Sequence, residues 1–250
     1  MFRRIIKSYK YVRRKTPLNK WYYNTFVGHF ISSRVSPVLT VFFIKRHTPP
    51  NTITIYMILS GIIGATLFAF NNVYLKILGY LFIHLWFILD CSDGEVARIT
   101  RIFSKMGKEL DYVAHLINHP MFGMSFAVST LQLSNRVVSD CFVIVVFSLL
   151  IIFNLIGRGL MNLHLVYNIK NNVSNNSYFS DRLNKKILIS YIMKFFCQFP
   201  NIAIIFPMLY FFDLYYGTIY SFYYVIITTI ITMLAIMRMA YITIIKFYRI

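Results

Sequence analysis

The sequence predicts an all-α fold, a polytopic membrane helix bundle with about six transmembrane helices. Hydrophobic residues make up 58% of the chain and charged residues only 14%, whereas a soluble domain carries about 25% charged residues. Residues 53–70 and 218–237 contain no charged side chain, and each stretch is long enough to cross about 30 Å of hydrocarbon as a helix. Basic residues flank the apolar stretches, as they do at the ends of membrane helices.

The two charge-free stretches are the first and last of the six predicted spans. Four more apolar stretches lie between them: residues 73–90, 110–132, 139–161 and 187–212. Polar side chains interrupt two of these, His115 and His119 in one and Lys194 in the other. We therefore expect a six-helix transmembrane domain over residues 49–250.

The distribution of basic residues predicts which side of the membrane each connection faces. Of 26 Lys and Arg residues, 11 lie in residues 1–48, and the basic residues of later connections fall on the same side. The opposite side holds little beyond Lys76 and Arg136. By the positive-inside rule, residues 1–48 and the connection after Asp90 are cytoplasmic. We expect an integral membrane protein with a bacterial inner membrane as its location.

Residues 1–48 form a separate basic segment before the first span. Apolar residues recur at helical spacing in its first part with basic residues between them, which favours an amphipathic helix lying in the membrane interface. A solvated basic tail is the alternative. The formal charge of +18 suggests membrane lipids as partners and not nucleic acid, because the basic residues flank apolar spans.

Acidic residues are concentrated in one short region. Five of the eight Asp and Glu residues lie within 22 positions: Asp90, Asp93, Glu95, Glu109 and Asp111. On helices, Asp90 shares a face with Asp93, and Asp111 shares a face with His115. Carboxylates crowded at a membrane boundary are costly, and hard divalent cations with oxygen ligands remove that cost. The pattern predicts a metal site, and a surface network with neighbouring Arg and Lys residues is the alternative.

The same region resembles the signature of the CDP-alcohol phosphotransferases, also named CDP-alcohol phosphatidyltransferases. The signature has eight fixed positions across 26 residues, and the chain matches seven of them: Asp90, Asp93, Gly94, Ala97, Arg98, Gly107 and Asp111. The resemblance extends to the six-span layout and to Asn51 and Thr54 at the start of the first span. It covers roughly residues 30–250.

The resemblance implies an integral membrane transferase that moves a substituted phosphate from a CDP-alcohol to an acceptor hydroxyl and releases CMP, in phospholipid or phospho-polyol biosynthesis. It implies a homodimer, and metal ligation by Asp90, Asp93 and Asp111 with two Mg²⁺ or Mn²⁺ ions. It also implies a set of substrate-binding residues: Gly94, Ala97, Arg98, Gly107, Asn51 and Thr54. A catalytically inactive member that serves as a membrane scaffold or binds divalent ions is the alternative.

The eighth signature position departs from the family pattern. The usual residue is a fourth Asp, a metal ligand and general base, and here it is His115. An imidazole can accept a proton from a hydroxyl, and its nitrogen suits Mn²⁺ or Zn²⁺ better than Mg²⁺. We expect His115, together with Asp111, to act as catalytic base or metal ligand. A degenerate, inactive site and a base relocated to His119 are the alternatives.

Three buried basic residues suggest where the acceptor binds. Arg158, Lys194 and Arg238 lie in three different predicted spans, each about one to three turns from the cytoplasmic end. They are candidates for lining an acceptor cavity, and Arg158 is the strongest because the glycines on either side leave room beside it. Snorkelling of these long side chains toward the lipid headgroups is the alternative.

Overall fold

The computed structural model describes residues 33–133, 138–170 and 199–248. These residues form seven α-helices and no strand, which confirms the all-α prediction. In chain order the helices are α1 Ser33–Lys45, α2 Pro50–Ala69, α3 Val73–Thr100, α4 Gly107–Leu131, α5 Asp140–Lys170, α6 Phe199–Tyr216 and α7 Tyr220–Tyr248. The amphipathic stretch expected near the amino end and Lys194 lie outside the described residues.

Five of the seven helices are long and apolar enough to cross a membrane. Their spanning segments are Pro50–Ala69, Val73–Thr100, Asp140–Leu160, Phe199–Tyr216 and Tyr220–Tyr241. This set confirms the polytopic membrane bundle and corresponds to five of the six expected spans. For the span expected at residues 187–212, residues 187–198 lie outside the described part of the chain.

The remaining expected span, residues 110–132, coincides with α4, which is not among the five apolar helices. Instead, α4 buries a series of polar side chains: His115, Asn118, His119, Ser125, Ser129 and Thr130. These groups are tolerated because α4 packs against α2, α5 and α6 and therefore faces protein. The sixth helix of the bundle is thus a polar one, and it carries half of the signature region.

Helices α2 and α3 approach each other closely at glycine residues. A Cβ atom added at Gly79 would lie 2.6 Å from the backbone nitrogen of Phe68 and 2.8 Å from the carbonyl oxygen of Gly64. Small residues at such contacts let helix backbones come together in a membrane protein. This contact fixes the register of α3 against α2, and with it the height of the residues further along α3.

Lys76 closes the far end of the α2–α3 hairpin. From the sequence, Lys76 is expected at a connection on the non-cytoplasmic side, but the structure buries it between helices. Its Nζ donates to the carbonyl oxygen of Phe68 at 2.9 Å and to Ser129 Oγ at 2.8 Å. The last carbonyl groups of a helix lack partners within that helix. Lys76 therefore satisfies the end of α2 and joins it to α4.

A buried carboxylate fastens α1 to α3. Glu95 is 4% exposed and accepts hydrogen bonds from Ser36 Oγ at 2.9 Å and Thr40 Oγ1 at 2.6 Å. A buried carboxylate needs such partners, so these contacts fix the position of the last part of the basic segment. Glu95 lies two residues after Asp93 on α3, close to the signature region. The interfacial position of residues 1–48 as a whole stays a prediction.

Removal of the Thr40 hydroxyl should weaken this attachment. In Thr40→Val the side chain keeps its shape while Glu95 loses a hydrogen bond, so we expect the free energy of unfolding to fall by about 1–3 kcal/mol. Chemical denaturation of the detergent-solubilised protein measures the change. Thr66→Val is the matched control, because the exposed Thr66 hydroxyl bonds to the Ile62 carbonyl of its own helix. Equal losses in the two variants would contradict the prediction.

Candidate active site

Asp90, Asp111 and His115 come together at the end of the bundle where α3 is followed by α4. Asp90 lies on α3 and the other two residues lie on α4. Nε2 of His115 is 3.3 Å from Oδ1 of Asp90 and 3.4 Å from Oδ1 of Asp111. One potential ligand atom from each residue lies within 4.8 Å of the others. The structure thus groups three of the four expected ligands closely enough to share one ion.

Asp93, the fourth expected ligand, lies beside this group and is held by α2. Thr54 Oγ1 donates to Asp93 Oδ2 at 2.8 Å, and the charges of Asp90 and Asp111 act on the Asp93 carboxylate. Thr54, which the family resemblance assigns to substrate binding, therefore also orients an acidic residue. Three helices, α2, α3 and α4, contribute to this end of the bundle.

The carboxylates are only partly shielded from solvent. The side chain of Asp90 is 21% exposed and that of Asp111 is 48% exposed, whereas that of His115 is 9% exposed. Like charges this close repel each other, and partial burial strengthens the repulsion because water screens it less. A divalent cation relieves the repulsion, and carboxylate oxygens with one imidazole nitrogen suit such a cation. The residues therefore fit a divalent metal ion that approaches from the side of Asp111.

In the described part of the chain, Asp90 and Asp111 do not form the surface network with neighbouring Arg and Lys residues that was the alternative to a metal site. Among the described residues, Asp90 and Asp111 both pair with His115, and neither pairs with the basic residues nearby in sequence: Arg98, Arg101, Lys105 and Lys108. The exposed Arg98 side chain folds back along α3 instead. A Cβ atom at Gly94 would lie 3.0 Å from Nη1 of Arg98, so Gly94 provides the space that Arg98 occupies.

The other expected substrate residues lie at the same end of the bundle. Asn51, at the start of α2, donates through Nδ2 to Ser104 Oγ at 2.9 Å. Gly107 is the first residue of α4, and a Cβ atom there would lie 3.7 Å from Oδ1 of Asn51. Ala97 is half-buried on α3, one turn after Asp93. Asn51 therefore ties the start of α2 to the connection between α3 and α4.

His119 and Arg158 extend the site behind His115. Nδ1 of His115 is 3.1 Å from Nε2 of His119. The Arg158 guanidinium group, on α5, has a nitrogen 3.3 Å from each ring nitrogen of His119. His115 thus stands between His119 and the two carboxylates.

The three basic residues considered for the acceptor differ in position. Arg158 is half-buried, its charge acts on Asp90 and Asp111, and the space beside Gly159 is open within 4 Å. Arg238 is exposed, so the expectation of a buried position is wrong for this residue, and a side chain directed toward headgroups fits it better. Lys194 lies outside the described residues.

Trp86 belongs to the site but was not expected from the sequence. It is 0% exposed, and its ring meets those of His115 and His119 edge-on, with centroids 5.7 and 5.9 Å away. The indole nitrogen donates to the side-chain oxygen of Asn118 at 2.8 Å. The available signal was its position four residues before Asp90, on the same face of α3. Trp86 forms an apolar wall beside the two histidines.

A sequence model of a known family matches most of the chain. The matching family is CDP-alcohol phosphatidyltransferase, over residues 47–237, a range that includes the whole of α2 to α6 and most of α7. The comparison with curated proteins gives no match. The family match supports a transferase, and the five apolar helices indicate an integral membrane protein. The chain therefore belongs to the CDP-alcohol phosphatidyltransferase family.

Proposed function

We propose that the protein is a metal-dependent transferase that moves a substituted phosphate group from a CDP-alcohol to an acceptor hydroxyl and releases CMP. The observation that supports this most directly is the convergence of Asp90, Asp111 and His115 on one point, within the stretch that matches the family. The placement of the basic residues favours a site on the cytoplasmic face of the membrane, and we propose a bacterial inner membrane as its location.

We propose that Asp90, Asp93 and Asp111 hold two Mg²⁺ or Mn²⁺ ions. Thr54 occupies Oδ2 of Asp93, which leaves Oδ1 for a cation. His115 completes the group through Nε2, as a fourth ligand or as the base, and a nitrogen ligand favours Mn²⁺ over Mg²⁺. When bound, the ions neutralise the diphosphate and stabilise the leaving CMP.

As the base, His115 takes the proton of the acceptor hydroxyl on Nε2. Oδ1 of Asp111 is 3.4 Å from this atom, so its charge stabilises the imidazolium that forms. The acceptor oxygen forms a bond to the phosphorus atom that bears the alcohol. The bond between that phosphorus and the bridging oxygen of CMP breaks, and CMP leaves with the oxygen and the electron pair. His115 and Asp111 are therefore the proposed catalytic residues.

We propose that the CDP-alcohol lies along the exposed side of the carboxylates. The Arg98 guanidinium group is exposed there and complements the charge of a diphosphate. Gly94 gives the Arg98 side chain its place against α3, and Gly107 leaves the start of α4 without a side chain. We propose that three residues at the same end of the bundle make the remaining contacts with the CDP-alcohol: Asn51, Thr54 and Ala97.

The donor and acceptor belong to one of two arrangements. In the first, CDP-diacylglycerol is the donor and a soluble alcohol is the acceptor. In the second, a soluble CDP-alcohol or CDP-polyol transfers to an acceptor at the membrane. The products then belong to phospholipid biosynthesis or to phospho-polyol and glycan biosynthesis. Arg158 is the proposed acceptor contact, and a homodimer embedded in membrane lipids is the proposed assembly.

Conversion of an acidic ligand to its amide tests the proposal. We expect Asp93→Asn and Asp111→Asn to lower CMP release by on the order of 100-fold or more, because each removes a charge that a divalent ion needs. CMP is measured with purified protein, candidate CDP-alcohols, and Mn²⁺ or Mg²⁺. Glu109→Gln, an exposed position two residues before Asp111 on α4, is the matched control and should match the parent. A parent protein that releases CMP from none of the donors would support the inactive scaffold instead.

Two substitutions at His115 separate its proposed roles from packing. We expect His115→Ala to lower the turnover number by about 100-fold or more, as the loss of a general base does. His115→Asp restores the four-carboxylate pattern, so it should keep more activity and shift the preference from Mn²⁺ toward Mg²⁺. Rates at saturating substrate with each metal measure both effects. If both variants equal the parent with both metals, the proposed role of His115 is wrong.

Substitution of Arg158 tests the acceptor contact. Arg158→Ala should raise the KM for the acceptor about tenfold, because the binding free energy lost is on the order of that of one charged hydrogen bond. The KM for the CDP-alcohol should change little. Steady-state kinetics with each substrate varied in turn gives both values. Arg238→Ala, at an exposed position on α7, is the control. Equal increases in both KM values would rule out an acceptor-specific contact.

A further inference from the structure

A line of contacts runs from α5 through two histidines to the carboxylates of the site. Arg158 contacts His119 at 3.3 Å, and His119 Nε2 contacts His115 Nδ1 at 3.1 Å. His115 Nε2 then faces Asp90 and Asp111 at 3.3 and 3.4 Å. We propose that His119 is a positioning residue, which orients the His115 ring so that Nε2 is presented to the metal site. This inference rests on the metal site proposed above.

His119 is itself held rigidly, as a positioning residue must be. It is 2% exposed, and Phe199 stacks on its ring with centroids 3.9 Å apart and planes at 19°. The Trp86 ring meets it edge-on at 5.9 Å. Aromatic contacts on its face and its edge leave the His119 ring little freedom to turn, so its Nε2 atom stays directed at His115.

The contact with Nδ1 selects one orientation of the His115 ring. An imidazole can act through either nitrogen, and the hydrogen bond made by one nitrogen decides which is left for a ligand or a proton. Rotation of the His115 ring by 180° would turn carbon atoms toward both His119 and the carboxylates and lose all three contacts. The bond to His119 therefore favours the orientation in which Nε2 faces Asp90 and Asp111.

The tautomer of His119 decides whether His115 can offer a lone pair on Nε2. A guanidinium group only donates hydrogen bonds, and Arg158 has a nitrogen 3.3 Å from each ring nitrogen of His119. If Nδ1 of His119 accepts from Nε of Arg158, the Nε2–H of His119 donates to Nδ1 of His115, and the proton of a neutral His115 then lies on Nε2. For Nε2 of His115 to carry a lone pair, Nδ1 of His115 carries the proton and donates to Nε2 of His119. His119 then carries its own proton on Nδ1, and in this tautomer Arg158 contributes only its Nη2 group, 3.3 Å from Nε2 of His119.

Two substitutions of opposite kind distinguish positioning from packing. His119→Phe keeps an aromatic ring against Phe199 and Trp86 but removes both nitrogens. His119→Gln loses the ring but places an amide group within reach of His115 Nδ1. If His119 orients His115, His119→Phe lowers Mn²⁺ affinity by about 10–100-fold, as loss of a partner behind a metal-bound histidine does, and His119→Gln stays within a few-fold of the parent. A packing role predicts the reverse order and would overturn the proposal.

Mn²⁺ affinity is measured on detergent-solubilised protein, from the electron paramagnetic resonance signal of the free ion during titration, so no substrate or activity is needed. Phe126→Leu is the control, because Phe126 is a buried aromatic residue further along α4 that stacks on Phe206 with centroids 4.4 Å apart, and its Mn²⁺ affinity should match the parent. Thermal unfolding of each variant reports whether it is folded. If His119→Phe does not fold, His119→Met replaces it, with the same expected loss of affinity.

The outcomes separate this inference from the proposed function. A parent protein that binds no Mn²⁺ would overturn the proposed metal site. A parent that binds Mn²⁺, with His119→Phe or His119→Met binding it equally well, would leave that site intact and overturn the positioning role of His119.

Discussion

The crowding of two carboxylates against one imidazole is the constraint on which the rest of the structure depends. Asp90 and Asp111 belong to different helices, yet each lies within 3.4 Å of the same nitrogen atom of His115. Asp93 adds a further acidic group next to them. Repulsion between like charges in a partly buried place would push α3 and α4 apart. The contact of Asp90 with His115 of α4 offsets part of that repulsion, and contacts elsewhere on α3 hold the helices at fixed heights.

Those contacts lie at both ends of α3. Near its start, Gly79 allows the backbones of α2 and α3 to touch, and Lys76 joins the end of α2 to α4. Near its other end, Thr54 holds Asp93 and the hydroxyls of α1 hold Glu95. Each interhelical hydrogen bond in a membrane protein contributes only about 0.6–2 kcal/mol. Contacts at both ends, however, prevent the one-turn slide that would move Asp90 away from His115.

The sequence predicts the parts of this arrangement that depend on spacing along one chain segment. The i,i+4 separation of Asp111 and His115 places both on one face of α4 without knowledge of the fold. Apolar length predicts the five membrane helices together with a sixth, residues 110–132, whose helix is not among the five apolar ones. The sequence predicts less directly that α3 and α4 bring their site residues to the same level of the bundle. That prediction depends on the short connection between the two helices and on the family resemblance. Contacts between distant segments cannot be predicted in this way, because no local sequence pattern encodes them.

Glu95 and Lys76 illustrate what spacing does not predict. In the sequence Glu95 is one more acid of the cluster, whereas in the structure it turns away from the site and binds α1. Lys76 looks like a basic residue at a membrane surface and is instead buried. In each case at least one partner lies more than fifty residues away along the chain: Ser36 and Thr40 for Glu95, and Ser129 for Lys76. The polarity of these side chains is readable from the sequence, but the direction in which each one points is decided by packing.

If the imidazole at position 115 works as proposed, its function depends on surroundings that an aspartate would not need. An aspartate is shorter than a histidine and would not reach from His119 to Asp90. It would also add a carboxylate to a place already rich in them. With His115 the site has one negative charge fewer, so it attracts a divalent cation less strongly by charge alone and depends more on the direction of a single nitrogen. His119, held by Arg158 and Phe199, is the proposed source of that direction.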